Sequence, residues 1–79
     1  MDELIPLLFT LIDRSHSSNT VAVRVAALKC LAEFPGKIPY SLIHPLKPKV
    51  LKNLSEALDD HKRLVRREAV VCRNKWYGV

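Results

Sequence analysis

Two cysteines, three histidines and a group of arginines and lysines are the side chains of this sequence with chemistry to offer, and their spacing decides which chemistry that is. Cys30 and Cys72 are the only thiols. An iron-sulfur cluster takes about four thiolate or imidazole ligands, so the pair does not predict metal ligation. The two occupy equivalent points of an internal repeat, where side chains on stacked helices point the same way rather than at each other. Free thiols acting as small buried hydrophobes are expected. His16, His44 and His61 fall in a loop, at a helix start and in a turn, without the i, i+4 spacing of a helical metal pair, and read as solvated or capping residues. Gly36 and Gly78 are the only glycines, so there is no Gly-rich phosphate loop, and no nucleophile sits beside a His and a carboxylate in a local signature. The expectation is a protein without catalysis, cofactor or metal.

The basic residues offer more. Residues 1–43 carry four basic and four acidic side chains, so the whole formal charge of +5 lies in residues 44–79. Lys62, Arg66 and Arg73 share one narrow sector of the last helical segment, with Arg63 and Arg67 beside them. Three readings stand together: a solvated end cap, a docking surface for an acidic or mixed protein surface, and a phosphate-binding patch. Docking draws on the Arg and aromatic content that interface centres favour, with Trp76 and Tyr77 at the exit of the helix. Phosphate binding lacks a recognised motif and interleaved aromatics for base stacking. The residues assigned to docking are Lys62, Arg63, Arg67, Arg73 and Trp76, with Lys47 and Lys49 as outer contributors. Trp76 has a second reading, as a plug at the end of the core like Phe34.

The elements that must position these groups recur at one constant step along the chain. That step takes Pro6 to Pro48, Val23 to Val65, Arg24 to Arg66, Ala27 to Ala69, Cys30 to Cys72 and Phe34 to Trp76. It falls within the period of roughly 40 to 47 residues that marks stacked helix pairs. The pattern predicts four helices in one all-α domain spanning 1–79, with repeat one at about 1–34 and repeat two at about 43–77. A first helix over 2–13 has Asp2 as N-cap; a second is capped by Ser18 or Asn19, runs to about Glu33 and stops at Phe34-Pro35-Gly36. A third covers 45–58 with His44 at its N-cap, and a fourth covers 62–76. Val23, Ala27, Cys30 and Phe34 form one stripe and Val65, Ala69, Cys72 and Trp76 its counterpart, each expected to pack on the partner helix of its own repeat. The neighbouring sector holds Val21, Val25, Leu28 and Leu31 in the second helix, but Arg63, Arg67, Val70 and Arg73 in the fourth. An apolar sector that the second repeat covers, followed by a polar version left to solvent, predicts the carboxy-terminal end of an α-solenoid. No stretch approaches the ~18 apolar residues of a membrane span, and the acidic start Met1-Asp2-Glu3 does not read as a signal peptide. An intracellular location is expected.

The segments Ile5-Pro6-Leu7-Leu8 with Val23-Arg24-Val25-Ala26-Ala27-Leu28, and Lys47-Pro48-Lys49-Val50 with Val65-Arg66-Arg67-Glu68-Ala69-Val70, resemble the HEAT repeat. The resemblance implies that Asp13 and either Asp59 or Asp60 are turn acids and that Arg24 and Arg66 pair with turn aspartates of the same or the adjacent repeat, a structural role. The run from Leu58 to Val70, followed by Arg73 and Lys75-Trp76-Tyr77, is similar to the C-terminal HEAT region of the MMS-nineteen family. That likeness implies an adaptor of the cytosolic iron-sulfur assembly targeting complex, in cytoplasm and nucleus. Its partners would be the protein components of that complex and apo iron-sulfur clients of DNA replication and repair. Nucleic acid is disfavoured as a partner, and no membrane is implied.

Overall fold

A computed structural model of the chain describes residues 4–15 and 18–79. The expected roles of Asp2 and His16 fall outside the described residues. The fold is all-α, in the order α1 (Leu4–Ile12), α2 (Val21–Lys37), a one-turn α3 (Tyr40–Ile43), a 3-10 turn (His44–Leu46), α4 (Lys47–Leu58) and α5 (Arg63–Tyr77). Helices α1 and α2 pair, α4 and α5 pair, and the widest interface joins α2 to α5, so the two pairs stack chiefly through their second helices.

Local chemistry sets the helix ends. Pro6 is tolerated in the first turn of α1, where its missing N–H has no intrahelical partner to lose. The N-cap of α2 is Thr20, whose hydroxyl accepts from Val23 N at 3.3 Å. Ser18 and Asn19, expected in that role, are displaced because Asn19 is occupied elsewhere. Its buried amide donates to the carbonyls of Thr10 at 2.6 Å and Asp13 at 2.8 Å, closing the orphan end of α1. The break expected at Phe34-Pro35-Gly36 does not occur, and α2 continues to Lys37 with Pro35 inside its last turn. Proline has no N–H to give the carbonyl of Leu31 four residues back. That carbonyl accepts instead from Trp76 Nε1 of α5, at 3.0 Å. His44 does not cap a helix over 45–58: it follows α3, its ring is stacked on Tyr40 with centroids 5.1 Å apart, and the Tyr40 hydroxyl lies 3.0 Å from Nδ1. α4 starts three residues later, with Pro48 in its first turn.

One core runs through both pairs. Ile5, Leu8 and Ile12 of α1, Leu28 and Leu31 of α2, Val50 and Leu54 of α4, and Val65, Ala69, Cys72 and Trp76 of α5 are all buried in it. The apolar sector of α2 divides: Leu28 and Leu31 are 0% exposed, while Val21 and Val25 are half-buried. In α5 the matching Arg63, Arg67 and Val70 are exposed and Arg73 is half-buried. The stripe of α2 expected to bury Cys30 does so only in part. Ala27 and Phe34 are buried, Val23 is half-buried and Cys30 is exposed. Stacking of α5 on the Leu28–Leu31 side turns the buried sector of α2 toward that flank, and Cys30 is left on the other. Cys72, in contrast, is enclosed, and burial pushes its thiol up to about 12, with Lys75 drawing it down and Glu68 adding to the rise.

Candidate docking face on the last helix

The turn ends of the two pairs are laced by polar groups that fix the azimuth of α5. Arg24 Nε lies 2.9 Å from Asp60 Oδ2, with both side chains nearly sealed from solvent. Arg24 Nη2 donates to Asp60 Oδ1 at 3.3 Å, and Nη1 donates to the carbonyl of Asn19. Asp60 Oδ1 also accepts from Lys62 N at 2.9 Å, an aspartate-capped turn that launches α5. The fork geometry of a guanidinium suits such a bidentate carboxylate. The pair therefore joins α2 of one repeat to the turn of the next, while Arg14 adds a bond to the carbonyl of Asp59. Arg66 is placed differently from its register mate. Its Nη1 donates to the backbone carbonyls of Asp60 at 2.7 Å and His61 at 3.0 Å rather than to a carboxylate. Asp59 is exposed at the turn. Asp13 accepts from the backbone N and the hydroxyl of Ser15, at 2.9 and 2.7 Å.

With α5 so oriented, its side chains sort by angle at about 100° per residue. Val65, Ala69, Cys72 and Trp76 form the inward face and are all 0% exposed. One flank carries Arg63, Arg66, Val70, Arg73 and Tyr77, and Arg67 is on the outermost line. The sole acid of the helix, Glu68, lies on the other flank. Arg73 is the ordered element of the basic flank. Its guanidinium carbon stands 5.9 Å from the Tyr77 ring centroid, its stem is half-buried, and its Nε is buried without a hydrogen-bond partner among the described residues. A cation–π contact of this kind favours one orientation of the guanidinium, whose outer N–H groups make no hydrogen bond among the described residues.

The residues assigned to docking from the sequence do not all reach this face. Lys62, Arg63 and Arg67 are exposed on or beside it, and Arg73 is half-buried within it. Trp76 is a correction: it is fully buried, its indole N–H committed to Leu31, and it plugs the interface between α2 and α5. The exposed aromatic is Tyr77, placed at the helix exit by the sequence but not among the residues assigned to docking; its i+4 spacing from Arg73 puts it on the flank, while Trp76 keeps the phase of Val65 and Cys72. Lys49 is exposed on α4. Lys47 is half-buried and donates to the carbonyl of Val79 at 2.8 Å, which holds it against the chain rather than offering it outward. Among the described residues no three His, Cys, Asp or Glu side chains converge as a metal site, and no helix is long and apolar enough to cross a membrane.

Stacked helix pairs, the second helix of one against the second helix of the next, define an α-solenoid-type helical array. No family model matches the chain. Individual proteins do: it is 46% identical over 61 residues to the human MMS19 nucleotide excision repair protein homolog, covering 77% of this chain and 6% of that protein. The DNA repair/transcription protein mms19 of Schizosaccharomyces pombe is 40% identical over 77 residues, covering 98% of this chain and 7% of that protein. The Dictyostelium discoideum MMS19 homolog is 39% identical over the same length and the same shares. The chain belongs to the MMS19 family. It spans about 6–7% of the length of the curated relatives it matches.

Proposed function

We propose that this chain is a docking segment of a DNA-repair adaptor that serves cytosolic iron-sulfur cluster targeting, in cytoplasm and nucleus. On this reading it acts by holding protein partners of the cluster-delivery machinery and their apo-protein clients, and not by catalysis. The two repeats, about 1–34 and 43–77, form a rigid base, and the outer flank of α5 is the contact. One observation carries the reading: at positions where α2 buries Leu28 and Leu31 and half-buries Val21 and Val25, α5 has Val70, Arg73, Arg63 and Arg67 turned outward. The repair and transcription names of the relatives and the sequence resemblance support the repair setting. A basic flank steers an acidic partner at long range, and Val70, Arg73 and Tyr77 then supply the short-range contacts.

The test is charge reversal. Arg63→Glu with Arg67→Glu should weaken capture of purified cluster-assembly partners by about tenfold or more, a loss of at least about 1.4 kcal/mol, with helical circular dichroism unchanged. Undiminished capture by this variant rejects the assignment. A second reading, phosphate-backbone binding, is favoured by the absence of any acid on the basic flank of α5. Titration with duplex DNA at two salt concentrations separates the two readings, because phosphate neutralisation requires affinity to collapse with salt.

A further inference from the structure

The turn that joins α4 to α5 has spent its acceptors and kept its donors. The carbonyl of Asp59 accepts from Arg14 Nη1, and those of Asp60 and His61 accept from Arg66 Nη1. The Asp60 carboxylate, nearly sealed from solvent, is taken by Arg24 and by Lys62 N. On the donor side, the Lys62 ammonium and the His61 ring are exposed and have no partner among the described residues. Arg14, also exposed, commits only Nη1 of its guanidinium, which holds the group in place and leaves its other N–H groups unused. These three side chains line one recess of about 350 Å³, together with Ser15 and the buried Arg24–Asp60 pair.

The nearby acids belong to a different cavity. Asp13, Glu56 and Asp59 line a neighbouring space of about 450 Å³, and none of the three lines the recess; Arg14 and Ser15 are the wall that the two share. Within the recess the charges of Arg24 and Asp60 cancel, which leaves Arg14 and Lys62 as net positive charge with His61 beside them. Two cations with unused donors call for a dianion rich in acceptors. A phosphomonoester carries about −1.5 to −2 charge at neutral pH and several acceptor oxygens, whereas a carboxylate brings a single charge. We infer that this recess binds a phosphorylated serine or threonine side chain of a partner protein, whose phosphoryl oxygens accept from Arg14 and Lys62 while His61 closes the rim. The recess is at the lower end of the size of small-ligand sites, which suits one side chain. A nucleic-acid backbone carries its phosphates in a row, and the next phosphate would lie over the acid-lined cavity beyond Arg14. The site does not depend on the docking role of α5, because Arg14 follows α1 and has no place on the basic flank. Lys62 borders both surfaces, so no variant that tests the site alters it.

The probe is a short end-capped peptide of glycine and alanine around one central phosphoserine, titrated into the isotope-labelled chain and followed by amide NMR. The same peptide with serine or glutamate at the centre, inorganic phosphate, and duplex DNA are titrated in parallel. The expected result is saturable shifts centred on Arg14, Ser15 and residues 60–62 with the phosphopeptide, none with the serine peptide, and binding at least about tenfold weaker for the glutamate peptide and for inorganic phosphate. Arg14→Gln should weaken phosphopeptide binding at least about tenfold, the loss of a charge-assisted contact. His61→Glu, which replaces an exposed side chain without a partner, should weaken it as well by setting an anion at the rim, and the melting temperature shows that both variants fold. Arg73→Gln, roughly 16 Å along α5 from Lys62 and beyond the screening length, should leave binding unchanged. Shifts centred on Arg67 and Arg73, equal binding of the glutamate peptide or of free phosphate, tighter binding of the DNA at these residues, unchanged binding by folded Arg14→Gln, or no binding overturns the proposal. Charge reversal at Arg63 and Arg67 alters neither Arg14 nor His61, so failure at the basic flank and failure here are read separately.

Discussion

Helices α2 and α5 are matched in sequence at the repeat spacing and unequal in surroundings. α2 lies between α1 and α5, and α5 is covered by α2 and α4 with its outer side open. The same repeat position therefore carries opposite tasks. Leu28 is sealed where Val70 is 37% exposed, and Cys30 is exposed where Cys72 is sealed. Arg24 is buried against a carboxylate, whereas Arg66 serves carbonyls at the rim of a turn. Repetition builds the helix, and the neighbour it receives decides what each position must do. A helical array places its apolar sectors where the next unit stacks, and it is free to vary where none does.

The largest effects should come from breaking the α2 side of this comparison. Leu28→Arg places an unpaired charge at a position with no exposure, and a chain of this size should lose cooperative folding outright. Arg24→Ala strands the buried Asp60 carboxylate and should cost about 3–5 kcal/mol in denaturant unfolding, whereas Arg66→Ala, its register mate, should cost about 1 kcal/mol. Equal losses for the two arginines would erase the distinction between them. The next effect in size concerns Trp76. Trp76→Phe keeps most of the apolar volume but removes the donor to Leu31, and Pro35 can supply no substitute. The carbonyl left buried should cost about 1–3 kcal/mol, measured by the same unfolding curves.

These pairs also explain how far the sequence was readable. The period exposed the four long helices and the matched positions, because both follow from spacing, whereas the one-turn α3 between the pairs has no counterpart in it. The boundaries went astray where a residue had two competing partners. Asn19 is as good an N-cap as Thr20, but α1 claims its amide. Pro35 is a strong breaker, yet its penalty is small once a tryptophan from the other repeat supplies the missing donor. The basic flank was legible as a charge cluster, but its aromatic member was misassigned, since Trp76 differs from Tyr77 by only one step of helical phase. Cys30 was misplaced for a different reason. The stripe argument centres the covered face on Ala27 and Phe34, whereas the buried sector of α2 runs from these two round through Leu31 and Leu28 to Ala32, away from Cys30.

A smaller effect distinguishes the two thiols. Burial holds the Cys72 pKa near 12 against an ordinary 9.0, so between those values the folded chain keeps a proton that the unfolded chain has released. The stability contributed is complete below pH 9 and is lost as pH rises toward 12. Relative to a Cys72→Ala variant, the native chain should lose roughly 1 kcal/mol per pH unit in that window, seen in unfolding free energies at several alkaline pH values. At neutral pH a thiol reagent should modify Cys30 in the folded chain and reach Cys72 only through opening. Equal modification rates would place both thiols in the same environment.

The smallest expected effect is the most discriminating, because it tests whether the free flank of α5 is free. Val70→Arg is the register counterpart of Leu28→Arg and adds one charge among Arg63, Arg66 and Arg73. On an open helix surface such a change falls within about 0.5 kcal/mol, slightly unfavourable here because like charges gather three and four residues apart. Salt should remove that remainder by screening it. A loss above about 2 kcal/mol that salt does not relieve would mean that Val70 is covered in solution. That cost would then have to vary with protein concentration if the cover were a second copy of the chain. A near-neutral result leaves Leu28 and Val70 as one position in sequence and two in energy, separated only by whether another helix stacks on it.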